Sequence, residues 1–161
     1  MRELFSLLTV CIMLGIAGCA TELPPTNYYV LGLPLNPPAE QEAEFPVSLT
    51  IGRFEAEPLL LRRNVVWRAE NKIGYYSYEK WAELPARLFS YRLYRRAAAS
   101  GLFERVEMQP AAGETDYVLD GTLLAFEEVT TPQGKVGRVR VKADLVGGDE
   151  NIVWRRTITK E

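Results

Sequence analysis

One thiol in the chain is placed for chemistry. Cys19 follows Ile16-Ala17-Gly18, and the only other cysteine, Cys11, lies inside the apolar run ahead of it. Small side chains before a cysteine let the backbone lie extended in a protease cleft. The sulfur is the nucleophile there that can take a thioether-linked diacylglycerol. Other chemistry is poorly provided for. The chain has no histidine, so the commonest general base, neutral-pH switch and metal ligand are all missing. With no spare cysteine, a zinc site would need carboxylates alone. No serine sits in a nucleophile elbow. Glu127 and Glu128 are neighbours on a strand pattern, so their side chains point to opposite faces and cannot act as an acid–base pair. Gly134-Lys135 lacks the upstream glycines of a phosphate loop. The expectation is a protein without catalytic residues, metal or diffusible cofactor.

The elements that would position Cys19 are those of a secretory signal. Arg2, partly offset by Glu3, precedes an apolar run from Leu4 to Ile16, and small residues follow. A bilayer-spanning helix needs about 20 apolar residues, more than this run supplies. Ile16-Ala17-Gly18-Cys19 resembles a bacterial lipobox. That resemblance implies lipidation of the Cys19 sulfur with diacylglycerol, cleavage between Gly18 and Cys19, and acylation of the new amino group. At about 0.8 kcal/mol per buried methylene, several chains hold a protein where one myristoyl chain does so only marginally. The alternative is a plain cleavable signal, or an uncleaved apolar helix, with Cys19 incidental. Residues 1–18 are read as the signal peptide and 19–27 as lipidated cysteine and tether, with Pro24-Pro25 favouring an extended spacer. Ala20 stands where the lipoproteins this resembles carry Asp for retention in the inner membrane. The expected location is therefore the periplasmic face of the outer membrane, with that of the inner membrane as the alternative.

The remainder suits one domain, residues 28–161. Of 161 residues, 47% are hydrophobic, enough for a core. The net charge of −2 is unchanged by removing residues 1–18, which carry one Arg and one Glu. A mildly acidic domain is a poor candidate for nucleic acid. With both cysteines accounted for, packing and not disulfides must stabilise it, even in an oxidising compartment.

Residues 28–33 read as a first strand, 34–46 as a Pro/Glu-rich loop and 47–54 as a half-buried strand. Residues 65–70 and 73–78 form a hairpin joined at Asn71-Lys72, where Asn tolerates a left-handed backbone. Trp81, Leu84, Leu88 and Tyr91, widened by Phe89, Leu93 and Ala97, predict a helix over about 80–100, stopped by Gly101. Beyond it the pattern is β: 103–109, then a long central strand over 117–130, then a turn at 131–134. Val139, Val141, Ala143 and Leu145 alternate with Arg138, Arg140, Lys142 and Asp144 in the next strand. The last runs over 151–160 with Ile152, Trp154 and Ile158 on one face. The fold class is α/β (α+β): one curved mixed or antiparallel sheet with one main helix packed on it.

Three segments are candidate partner surfaces. Leu59-Leu60-Leu61-Arg62-Arg63 reads first as a short buried segment with solvated arginines and second as an exposed apolar loop. The Tyr75–Tyr78 hairpin edge, with Tyr76 and Tyr78, offers aromatic contact. Arg138, Arg140 and Lys142 form a basic ladder, either a solubilising face or a site for anionic headgroups or an acidic partner.

The lipobox, Tyr28-Tyr29-Val30-Leu31, and the series Pro58-Leu59-Leu60-Leu61-Arg62, Val66, Arg68, Tyr75 and Trp81-Ala82-Glu83-Leu84-Pro85 together resemble the ABC-type transport auxiliary lipoprotein family. That resemblance covers about Tyr28 to the C-terminus. It implies a periplasmic partner carrying mammalian-cell-entry (MCE) domains within an ABC transporter that moves lipid between membranes, and a possible homo-oligomeric ring. Members continue past the last strand into a C-terminal helix, whereas this chain stops at Thr159-Lys160-Glu161. The expected function is a non-enzymatic accessory of intermembrane lipid transport. The alternative is an envelope-assembly or cell-wall-synthesis activator lipoprotein.

Overall fold

A computed structural model describes residues 22–32, 43–109 and 114–161. The signal, Gly18, Cys19 and most of the 34–46 loop lie outside the described residues.

The molecule is built on one long strand. In chain order the strands are β1 (Asn27–Tyr29), β2 (Phe45–Ile51), β3 (Glu55–Ala56), β4 (Asn64–Ala69), β5 (Lys72–Trp81), β6 (Phe103–Met108), β7 (Tyr117–Thr131), β8 (Gly134–Gly147) and β9 (Ile152–Lys160). A 3-10 turn covers Pro58–Leu60, and the helix α1 covers Pro85–Ala98. Along one side of β7 lie β2, β3 and β4, end to end and parallel to it. Along its other side runs β8, antiparallel over nearly its whole length. Three branches leave this spine: β6 pairs with β2, β9 with β8, and β5 with β4, β1 then adding to β5. The result is a single domain with a curled mixed sheet and one helix.

The expected centrality of β7 holds, because its residues must serve partners on both sides. Leu123 is wholly buried, with Phe126 and Val129 close behind. Leu123 and Phe126 join Ile51, Leu49, Phe54, Leu60, Val66, Val141 and Ala143 in one core. Alternation on β8 is as expected: Val141 and Ala143 are buried, and Val139 and Leu145 pack against the core. A glycine is required where β7 crosses β8. Gly121 has φ +151°, and a Cβ there would stand 2.0 Å from the Lys142 carbonyl oxygen.

Several boundaries differ from the periodicity reading. The helix begins at Pro85, and Trp81 ends β5. The spacing of Trp81 to Leu84 and Leu88 is helical only by coincidence. Its N–H donates to the Arg63 carbonyl at 2.6 Å, and its ring lies 4.7 Å from that of Phe126. Pro85 explains the boundary, since a residue before proline is steered from the helical region while proline itself suits the first turn. Tyr91, assigned to the apolar face, is exposed; Ala86 and Ser90 are buried instead. Gly101, at φ +66°, does end the helix region. In the β4–β5 hairpin the left-handed residue is Glu70 (φ +53°), not Asn71, because Ala69 and Lys72 already pair. β2 starts at Phe45 and absorbs Pro46 in a register irregularity between Phe45 and Ser48, where a missing N–H costs least. On β9, a bulge pairs Ile152 with Val146 but Trp154 with Leu145. Those neighbours on β8 face opposite ways, so Ile152 and Trp154 do not share a face.

Candidate docking surface

The Leu59–Arg63 segment divides residue by residue. β3 delivers the chain onto the sheet, and Pro58 starts a turn whose geometry sends alternate side chains in and out. Leu60 is 3% exposed and belongs to the core. It supports the loop and is not available to a partner. Leu59 and Leu61 are exposed, Leu61 to 61%. The arginines lie over aromatic rings. Arg62 sits 5.1 Å from the Tyr75 ring centroid and Arg63 sits 5.6 Å from that of Tyr28. Arg63 also donates to the Ala82 carbonyl at 3.3 Å, and the Tyr75 hydroxyl donates to the Leu59 carbonyl at 3.1 Å. Such contacts are worth about 0.5–1 kcal/mol each where exposed. They hold an apolar, cationic knob in one shape beside β1.

The hairpin tyrosines part company for the same alternation reason. Tyr75, not Tyr76, meets the leucine loop. Tyr76 faces Glu128, donating to its carboxylate at 2.6 Å and accepting from Lys135 at 2.9 Å. Lys135 and Glu128 also pair at 2.8 Å. The Lys135 hydrogen bond, then that of Tyr76, holds the Glu128 carboxyl below its ordinary range. The same contacts, that of Glu128 first, raise the Lys135 ammonium. Tyr78 is half-buried along β5.

The ladder on β8 is neutralised at one end only. Arg138 donates to Glu161 at 2.6 Å and stands 3.8 Å from Glu127. Glu127, almost wholly buried, takes a second guanidinium from Arg68 at 2.9 Å. Asp144 is bound by both arms of Arg155, at 2.6 and 2.8 Å, with Lys142 nearby lowering its carboxyl further. Among the described residues Arg138 alone of the ladder makes an ion pair; Arg140 and Lys142 make none within 4.0 Å. Glu127 and Glu128 point to different partners, as strand alternation requires.

The structure therefore joins Leu59, Leu61, Arg62 and Arg63 with Tyr75 and Tyr28. It places Tyr76 in a separate cluster with Glu128 and Lys135. No contact among the described residues links the leucine loop to Arg138, Arg140 or Lys142. Tyr75 belonged to the expected hairpin edge, but Tyr28 was not singled out as a partner contact; the adjacent arginines were the available signal, since guanidinium groups stack on tyrosine.

The fold has solved relatives. A Xanthomonas campestris protein of family DUF330 superposes with a TM-score of 0.72 at 18% identity, covering 84% of this chain and 77% of its own. A second solved protein, described only as uncharacterized, gives 0.61 at 14% identity, covering 85% and 79%. The PelC dodecamer from Paraburkholderia phytofirmans gives 0.44 at 17% identity, covering 73% and 72%, too slight a likeness to argue from. No family model matches the sequence, and no curated protein matches it. At these identities the likeness is one of fold.

Proposed function

We propose that the chain is a lipid-anchored, non-enzymatic docking protein of the ABC-type transport auxiliary class. In this reading it sits on the periplasmic face of the outer membrane and receives the MCE-domain component of an intermembrane lipid transporter. The observation that carries the reading is the joint occurrence of a lipobox at Ile16–Cys19 and a rigid knob of Leu59, Leu61, Arg62 and Arg63 next to β1. The DUF330-like fold supports it at the level of architecture. Tyr28 is nine residue steps from Cys19, so full extension at about 3.3–3.6 Å per step allows roughly 30 Å of reach. A tether of that length keeps the knob near the membrane and raises its effective concentration towards a partner spanning from the other side. Arg140, without an ion pair among the described residues, extends the proposal to an acidic patch on the partner. The ring of copies is part of the same proposal.

The test is affinity capture of the full-length protein from gently solubilised envelopes, followed by mass spectrometry. Recovery of an MCE-domain protein with its ATPase and permease is the expected result. Recovery of cell-wall synthases instead would move the protein to the alternative class. Charge reversal at Arg62, Arg63 and Arg140 should reduce recovery; unchanged recovery would place the surface elsewhere.

A further inference from the structure

The sheet carries a second feature, an apolar groove of about 500 Å³ at the end where β7 begins. Its floor is a row crossing five strands: Phe103 on β6, Phe45 on β2, Tyr117 and Leu119 on β7, Leu145 on β8 and Trp154 on β9. The register makes the row continuous, since Phe45 pairs with Phe103, Leu119 with Leu145, and Leu145 with Trp154. Among the described residues none of the lining comes from α1. Phe45 stays 45% exposed although its ring is 5.7 Å from that of Phe103.

The lining selects its occupant. Among the described residues it holds no charged side chain, and its polar side-chain groups are the Tyr117 hydroxyl and the Trp154 indole N–H. Its volume lies within the range of about 300–1,000 Å³ usual for small-molecule sites. Nine residues line it, against about 20–30 on each side of a stable protein interface. It is thus too small to seat a second copy by itself, but suits an alkyl chain. Val47 and Tyr117 also line the adjoining polar hollow, which holds Glu104, Glu114, Asp116 and Asp149 against Arg105. Arg105 is already engaged, 3.5 Å from Glu107 and donating to the Glu114 carbonyl. Asp116 accepts from both the N–H and the hydroxyl of Ser48, at 2.7 Å each. The hollow is a negative rim at the mouth of an uncharged channel, and Coulomb repulsion there opposes an anionic head.

We propose that this groove takes one acyl chain of an amine-bearing, net-neutral phospholipid, its ammonium towards the acidic rim. The proposal stands on the groove itself and not on the transport reading.

The experiment reconstitutes the full-length protein into phosphatidylcholine vesicles holding a trace of phosphatidylethanolamine with a photoreactive diazirine on its acyl chain. A matched phosphatidylglycerol probe is used in parallel. Adducts are mapped by proteolysis and mass spectrometry. Adducts should fall on peptides containing Phe103, Tyr117 and Trp154, several-fold more with the ethanolamine probe. Phe45→Asp, at an exposed position, should abolish them with an unchanged circular dichroism spectrum, and Trp154→Ala should weaken them. Labelling confined to residues 19–30 and insensitive to Phe45→Asp would overturn the proposal. Equal or stronger labelling by the glycerol probe would overturn the choice of head. Crosslinked dimers joined through groove peptides would assign the groove to a second copy and overturn it likewise. No transport component is present in this assay, so its failure leaves the docking reading to its own test.

Discussion

Replacing Leu60 and Leu61 separately by alanine tests how the leucine loop divides its work. The residues are adjacent and identical, so propensity and unfolded-state effects are nearly matched. Leu60 packs with Phe54, Val66 and Leu123 in the core and is 3% exposed, whereas Leu61 is 61% exposed. Leu60→Ala removes buried methyl groups and leaves a cavity that the β7 ladder cannot close, for a loss of about 2–5 kcal/mol. Leu61→Ala removes a solvated side chain and should stay within about 0.5 kcal/mol. For a domain of this size about 3 °C of Tm accompanies each kcal/mol, so Leu60→Ala should lower Tm by roughly 6–15 °C. Urea denaturation followed by tryptophan fluorescence, with the slope m unchanged, gives the free energies directly. In affinity capture the order reverses: Leu61→Ala, which removes a contact group, should reduce partner recovery per folded molecule more than Leu60→Ala, which only loosens the loop. Equal shifts in Tm for both variants would refute the reasoning, because the loop would then not be pinned through Leu60 and its shape would not be a docking feature.

Other outcomes are equally open to measurement. Gly121→Ala should destabilise the β7–β8 crossing by at least about 2 kcal/mol, since a Cβ there would meet a carbonyl oxygen at 2.0 Å; a thermal melt within 1–2 °C of the parent, about half a kcal/mol or less, would contradict the close approach. Hydrogen bonds from the Ser48 backbone, then its hydroxyl, hold the Asp116 carboxyl low. A carboxyl lowered on folding stabilises fully above its unfolded value of about 3.9 and loses that contribution as pH falls through the folded value. Ser48→Ala should therefore move the Asp116 titration upward in an NMR pH series, and an unmoved titration would remove Ser48 as the cause. Cys19→Ala should leave the precursor unlipidated and misplaced; normal fractionation with the outer membrane would overturn the anchoring argument.

The long β7, the alternation on β8 and one main helix packed on the sheet were legible in the sequence. Each rests on a local period that burial on one face or two imposes. The helix start was misread because Trp81, Leu84 and Leu88 satisfy a helical spacing that says nothing of which backbone Trp81 joins. Only pairing with β4 and stacking on Phe126 decide that. The hairpin turn was misplaced by one residue because Asn is the better left-handed former, yet the Ala69–Lys72 pairing forces Glu70 into that conformation.

The division between sequence and structure is clearest at the surfaces. The sequence by itself determined the lipobox pattern, the absence of histidine and the presence of an apolar, cationic loop, since these depend on residue identity and short spacing. It could not separate Leu60 from Leu61, because burial at that turn depends on what β7 presents beneath it. It could not pair Arg138 either, because Glu127 and Glu161 reach it only through strand pairing. The groove was invisible for the same reason. Phe45 read as the end of a loop, and Phe103, Tyr117, Leu145 and Trp154 as ordinary strand residues. Only the order β6–β2–β7–β8–β9 sets them in one row that no described helix lines.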